Sequence, residues 1–386
     1  MSGLNEVART QAQADAMPMA PLLILDRVEE FLDASGLGSG PLHCSRIGEG
    51  ASNVTFRIKR RGVDVVLRRG PRPPLPPSTH DMVREAHIQH ILAPLGIAVP
   101  KILAVCSDLF VLGVPFYVMQ FLDGDIITDA VPAHLDSSRE RREISAAVVD
   151  TLVKLHRVDI SHGEIAGIGR PDGYLKRQVA RFASLWDAGA TRDLPQVRHL
   201  AKWLEANRPD TQRSALIHGD YRLGNLMFRA QGPARVQAVL DWEMATLGDP
   251  LADLGYLTAT YAQARTPGTV MELSSVTAQP GFLNREELAH RYNESFGLDL
   301  SPLPWYQTLA LWKAAIFTEA IYTRWLRGEH GSSGGPGGPG GPGSSGASEV
   351  RGKPGQADVV HHELGAMLEH GVPKLLEAAA ACAKRL

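Results

Sequence analysis

Two short stretches of the chain carry side chains whose types and spacing suit phosphoryl transfer. The first reads Leu216-Ile217-His218-Gly219-Asp220-Tyr221-Arg222-Leu223-Gly224-Asn225, the second Val239-Leu240-Asp241-Trp242-Glu243. Transfer to an alcohol needs a carboxylate that orients the attacking hydroxyl or accepts its proton, and Asp220 fits that task. It also needs hard oxygen donors for magnesium, which the Asn225 amide and the Asp241 carboxylate offer. Arg222 lies two residues beyond Asp220, where a cation can stabilise charge on the group in flight. Asp and Asn beside Gly also close turns and cap helices, so the reading rests on three spaced residues agreeing. Asp249-Pro250 reads as an N-cap with a first-turn proline, and Asp249 and Asp253 are assigned to capping and loop bracing. Glu243 is open between a second magnesium and a helix-entry position. His156, at a helix end, reads as a packed or capping histidine.

The elements that must position these residues follow from periodicity and turn chemistry. Residues 1–20 read as a frayed, disordered arm. A helix is expected from Pro21 to Ala34, ended by Gly36. Strands are expected at Leu42–Ile47, Val54–Lys59 and Val63–Arg68. The turn Gly48-Glu49-Gly50-Ala51-Ser52-Asn53 joins the first two, where Gly48, Gly50, Ser52 and Asn53 can approach phosphates through backbone N–H groups; a plain glycine hairpin is the alternative. A helix at Thr79–Leu95 and strands at Lys101–Cys106 and Phe116–Phe121 complete a β-rich first part over 21–122. From residue 123 the pattern turns helical, clearest at Ser137–Val158 and Tyr174–Ala188. Short β pieces at Ala215–His218, Leu226–Phe228 and Val236–Leu240 interrupt it. Helices resume at Pro250, Glu286 and Pro304, with a last one near Val359–Leu386. Residues 331–346 read GSSGGPGGPGGPGSSG, a flexible spacer composition too short in period for a collagen-like helix. The fold class expected is α+β, with a small β-rich N-terminal lobe and a larger helical C-terminal lobe over 123–386.

Composition bounds the function. The 386 residues are 44% hydrophobic, enough for a sizeable core, and 40 basic against 42 acidic residues leave a formal charge of -2. That balance argues against a nucleic-acid binder that neutralises phosphate backbone. Cys44, Cys106 and Cys382 are far apart and form no C-x-x-C, which excludes a disulfide framework and fits a reducing, cytoplasmic setting. The apolar stretch Thr308–Leu326 carries Lys313, Glu319 and Arg324, so it reads as a buried or amphipathic helix, and no membrane partner is expected. Nothing in the sequence fixes an oligomeric state.

H-G-D-x-x-x-x-N followed by D-W-E resembles the aminoglycoside phosphotransferase-like branch of the protein-kinase-like superfamily. The spellings HGDYRLGNLMF and AVLDWEMATLGDPLADLGYL are closest to the kinase-like domains associated with acyl-CoA dehydrogenases. The resemblance covers about Leu42 to Leu326. It implies a bilobal fold, ATP or GTP with magnesium as cofactors, and a small-molecule hydroxyl substrate. It also implies a cation on the strand Val65-Val66-Leu67-Arg68 to hold the nucleotide's phosphates. The family usually has lysine there; this chain has Arg68, a fork instead of a point charge. Glu85 on the following helix is placed to pair with Arg68, and strand alternation puts Arg69 on the other face. Backbone groups of Gln120 and Leu122 would read the adenine edge, and His218 would brace the catalytic loop.

For the acceptor, Glu286–Glu329 shows near balance of acids and bases, where a polycationic aminoglycoside would call for acidic excess. Trp312 and Lys313 suit an acidic or phosphate-bearing acceptor; the plainer reading makes Trp312 core and Lys313 solvated. The leading expectation is a kinase for a hydroxyl of a small metabolite, such as a hydroxyacyl-CoA. An aminoglycoside-type antibiotic phosphotransferase and a non-catalytic nucleotide-binding pseudokinase are the alternatives. A metal-dependent hydrolase using His218, Asp220 and Asp241 lacks a neighbouring ligand pair.

Overall fold

The computed structural model describes residues 6–48, 53–72, 80–264, 268–327 and 356–386, with side chains from 365 onward in the last stretch. Gly50, Ser52 and the 331–346 spacer lie outside the described residues. The described chain divides into two compact units, one within 1–94 and 99–122, the other within 95–98 and from 123 onward.

The first unit opens with β1 (Val7–Ala8), α1 (Gln11–Asp15), β2 (Leu23–Ile24) and α2 (Leu25–Ala34). The disordered arm expected over 1–20 is therefore corrected from residue 6 onward. Val7 and Ala8 pair in parallel with Leu23 and Ile24, Thr10 caps α1, and the Ala8 side chain is fully buried. The same pairing draws Leu23 and Ile24 into a strand, so α2 starts four residues later than its apolar face suggested.

Next come β3 (Ser39–Arg46), β4 (Val54–Arg61), β5 (Val63–Arg69), α3 (Met82–Leu92), β6 (Ile102–Cys106), α4 (Leu109–Leu112) and β7 (Phe116–Gln120). The five longer strands form one antiparallel sheet in the order β3-β4-β5-β7-β6. Both sheet faces are covered. Val65 and Leu67 join Phe56, Ile58, Phe116 and Val118 in the main core against α2. On the opposite face Tyr117 and Met119 pack with Met82 and Ala86 of α3. Burial on both faces explains why β5 reads as an apolar run without alternation.

The second unit contains β8 (Gly124–Ile126), α5 (Ser138–His156), α6 (Tyr174–Gly189), α7 (Pro195–Ala206), β9 (Ala215–Ile217), β10 (Leu226–Arg229), β11 (Val236–Val239), β12 (Thr246–Gly248), α8 (Leu251–Thr260), α9 (Arg285–Phe296), α10 (Leu303–Leu326) and α11 (Gln356–Ala383). Its strands make two small antiparallel sheets, β11-β10-β8 and β12-β9. They flank the loop that carries Asp220 and Asn225.

Helix α10 runs through the middle of this unit, against α6, α7, α8 and α11. Trp305 and Trp312 are fully buried, and their indole N–H groups donate to Leu204 O and Val197 O of α7, each at 3.0 Å. Among the described residues no helix is long and apolar enough to cross a membrane.

Candidate active site

In the second unit, β9 delivers the chain into a loop that only glycine can continue. Gly219 has φ +86°, and a Cβ there would come within 2.8 Å of Met244 O. The turn aims Asp220 inward, where it is nearly fully buried. Asn225 Nδ2 donates both to Asp220 O and to Asp220 Oδ2, each at 2.8 Å. The other carboxylate oxygen, Oδ1, is buried and accepts no hydrogen bond of good geometry. A buried acceptor left in this state is costly in a fold and suits a group that awaits a proton or a ligand.

Arg222 Nε lies 3.7 Å from Asp220 Oδ2. Burial alone would lower its pKa, but Asp220, Tyr256 and Asp241 outweigh that and hold it above its ordinary value. The fields of both aspartates reach Arg222 and Tyr256. Asp241 comes to this place through the backbone. Leu226 of β10 pairs with Val239 of β11, and Leu240 N donates to Asn225 O at 2.9 Å. Asp241 itself takes φ +66°, one of two non-glycine residues in the left-handed region among those described. That conformation turns the chain after β11, and strain of this kind collects at functional sites.

The loop is braced from beneath. Asp253, fully buried at the start of α8, accepts His218 N at 2.7 Å, Gly219 N at 2.9 Å and His156 Nε2 at 3.2 Å. Burial works to raise its pKa, but the hydrogen bond and charge of His156, the nearby His218 and the backbone N–H prevail and hold it below the ordinary value. His218 Nε2 is 2.9 Å from Leu240 O, and its Nδ1 accepts Asp220 N at 3.3 Å. Since a carbonyl can only accept, the imidazole carries its proton on Nε2. With both nitrogens engaged on backbone, His218 is a brace, and the hydrolase reading loses its metal ligand. His156 is a packed histidine as expected, held also by the Tyr292 hydroxyl. Asp249 opens α8 by accepting Leu251 N and ties it to α10 through the Tyr306 hydroxyl.

In the first unit, the β5–β7 register pairs Arg68 with Tyr117, which puts Arg68 on the α3 face. Its Nε lies 3.2 Å and 3.3 Å from the two oxygens of the buried Glu85 carboxylate. Arg69 takes the opposite face, 1% exposed, donating to the carbonyls of Leu22, Gly70 and Pro71. Arg68→Met is expected to cost about 1–3 kcal/mol by removing a charge-assisted partner from the buried Glu85 carboxylate. Adding Glu85→Gln should recover most of that loss, and a double-mutant cycle of thermal unfolding measures the coupling.

The remaining expected nucleotide contacts divide. Gly48 takes φ +73° at the start of its turn. The Asn53 side chain is turned to His80, with Oδ1 2.9 Å from Nδ1, so it anchors the end of that turn. Gln120 has committed its amide hydrogen to Lys101 O, leaving only its carbonyl as a reader, and Leu122 lies two residues beyond β7. Glu243 is partly exposed.

One residue, Tyr256, escaped the reading of the sequence, and Lys313 stood open between an anion-binding and a solvated position. Tyr256 looks like one more core aromatic of α8; its only signal is the i, i+3 spacing from Asp253. Lys313 is not the solvated lysine of the plainer reading. Its ammonium is 3.0 Å from Gln178 Oε1 and 4.6 Å from the centre of the Phe182 ring. Trp312 is core, as expected.

The fold is that of the phosphotransferases, a small β-rich unit followed by a larger helical one. The chain belongs to the phosphotransferase enzyme family, whose model matches residues 43–287. Acyl-CoA dehydrogenase family member 11 of Gallus gallus is 38% identical over 298 residues, covering 75% of this chain and 38% of that protein. The chain thus spans well under half the length of the curated relatives it matches. A solved Ralstonia eutropha protein assigned to the aminoglycoside phosphotransferases is 26% identical, with a TM-score of 0.68 over 92% of this chain and 98% of that one. Spectinomycin phosphotransferase, solved with ADP and spectinomycin, is 13% identical; it shares the fold at a TM-score of 0.55 over 94% of this chain and 98% of its own.

Proposed function

We propose that this protein is a cytoplasmic, ATP- and magnesium-dependent kinase that phosphorylates a hydroxyl of a small acidic metabolite, with a hydroxyacyl thioester as the leading acceptor. The observation that carries the reading is the Asp220 carboxylate, fixed through Oδ2 by Asn225 and approached by the Tyr256 hydroxyl, while Oδ1 stays buried without a hydrogen bond of good geometry. In the proposed step Asp220 takes the proton of the acceptor hydroxyl. The hydroxyl oxygen forms its bond to the terminal phosphorus as the bond to the leaving diphosphate breaks. Arg222 stabilises negative charge on the phosphoryl oxygens. Arg68, fixed by Glu85, holds the inner phosphates of the nucleotide, and the Gly48 turn and the Gln120 carbonyl supply further contacts.

Magnesium fits the donor set. Among the described residues no three His, Cys, Asp or Glu side chains converge as a metal cage. Magnesium at phosphoryl-transfer sites commonly takes one or two carboxylates and completes its shell with phosphate oxygens and water. Asp241 and the Asn225 amide oxygen are the proposed donors. When bound, the ion supplies neutralisation of charge on the phosphates. The ADP in spectinomycin phosphotransferase supports nucleotide use by this fold, and three free cysteines support a reducing compartment.

The acyl-CoA dehydrogenase relatives support an acyl thioester over an aminoglycoside. A coupled ATP-consumption screen across 3- and 4-hydroxyacyl-CoAs, choline-like alcohols and aminoglycosides tests this. Turnover of the hydroxyacyl-CoAs is the expected result, and strong turnover of aminoglycosides alone reverses the assignment. Magnesium-dependent stabilisation by ATP with no transfer to any acceptor would make the protein a pseudokinase.

A further inference from the structure

We propose that Lys313, held by Gln178 over the Phe182 ring, binds an anionic group of the acceptor and sets the charge of the substrates this enzyme selects. The inference deepens the proposed function and rests on it. Helices α6 and α10 pack together and bring Gln178 and Phe182 under the ammonium. Both groups that hold it are neutral, and among the described residues no carboxylate lies within salt-bridge distance of it. A second cation acts on the same place: Arg181, one turn along α6 from Gln178, raises the cost of the ammonium's charge. Burial first, and Arg181 second, bring the Lys313 pKa down to about 8.

The charges that act the other way are Asp253 at the start of α8 and Asp220 itself. Lys313 therefore lies within electrostatic reach of the catalytic carboxylate, yet without an ion-pair partner of its own. A half-buried cation beside a like charge is an unfavourable arrangement for a fold and becomes favourable once an anion meets it. Such groups concentrate where ligands bind. The surrounding stretch is basic: Arg170, Lys176, Arg177 and Arg181 stand against Asp172 alone between 170 and 181. Arg181 is exposed, which leaves this side open to solvent. A polycationic aminoglycoside would meet like charge here, while a carboxylate or phosphate would meet the opposite charge of Lys313.

The shared chemistry is an anionic oxygen group, from the carboxylate of a free hydroxy acid or from the phosphates of a coenzyme A ester. Full-length wild type, Lys313→Met and Lys313→Arg are compared on three acceptors of equal chain length: 4-hydroxyhexanoate, 4-hydroxyhexanoyl-CoA and uncharged 1,4-hexanediol. Methionine keeps the apolar stem on Phe182, so the fold is retained. The KM for the anionic acceptor is expected to rise about tenfold or more in Lys313→Met, with kcat, the nucleotide KM and the diol unchanged and with partial recovery in Lys313→Arg. Which of the two anions responds names the source. Equal effects on the diol and the anions, or none, overturn the inference while leaving the kinase reading intact. Calorimetric binding of 4-hydroxyhexanoate and of coenzyme A without ATP reads the same residue if no acceptor is phosphorylated. Loss of binding in Lys313→Met alone then supports the subsite although the kinase reading has failed, and no binding by wild type, or equal binding by both, overturns it.

Discussion

Asp220→Ala is expected to lower phosphoryl transfer by about 10²–10⁴-fold while leaving nucleotide affinity nearly unchanged. The separation follows from where its contacts go. Asp220 is bonded by Asn225 within its own loop and approached by Arg222 and Tyr256, and the pair proposed to hold the nucleotide's phosphates, Arg68 and Glu85, is built in the first unit. Its loss removes the proton acceptor and frees Asn225 Nδ2 from one of two bonds; the bond to Asp220 O is to backbone and survives. Single-turnover transfer with a separate nucleotide-binding titration reads the two effects. Transfer near the wild-type rate would remove Asp220 from the role of base.

Asp253→Asn is expected to cost about 3–5 kcal/mol of stability and to depress transfer even in the protein that stays folded. This carboxylate accepts three donors at full burial, two of them the backbone N–H groups that enter the Asp220 turn. An amide offers one acceptor oxygen in place of two. The change strands a backbone N–H and removes the charge that faces His156. The effect has a pH signature. Because the folded protein holds the Asp253 carboxyl below its ordinary value, its contribution is fully present above about pH 4 and is lost as pH falls toward the folded pKa. Urea unfolding of wild type and variant should differ by a constant amount from pH 5 to 7 and converge under more acidic conditions. A gap that persists unchanged at pH 3 would contradict the assignment of the charge.

The chemistry-bearing loop was legible in the sequence because its geometry is local. Asp220 and Asn225 are five residues apart, and Asp241 follows one short two-stranded hairpin later, so chain connectivity alone brings them together. Strand alternation was enough to separate Arg68 from Arg69. What escaped depends on packing between distant segments. The order of residues 6–20 comes from two residues pairing with Leu23 and Ile24, a contact with no periodic signal. Helix α7 is absent from the sequence expectations, although Pro195 stands in its first turn, where a missing N–H costs nothing. Tyr256 looks like an ordinary core aromatic, and the plainer of the two readings of Lys313 is a surface cation, until α6, α8 and α10 surround them.

The central claim is that Asp220, Asn225 and Asp241 act together on a metal-bound nucleotide. Transfer of labelled terminal phosphate from ATP to a hydroxyl acceptor, followed against magnesium concentration in wild type and Asp241→Asn, tests it most directly. The account predicts transfer that is absent without magnesium, saturates with it in wild type, and in the variant falls by about 10²-fold or more with the magnesium requirement shifted upward. Transfer by Asp241→Asn at the wild-type rate and with the wild-type magnesium dependence would contradict it.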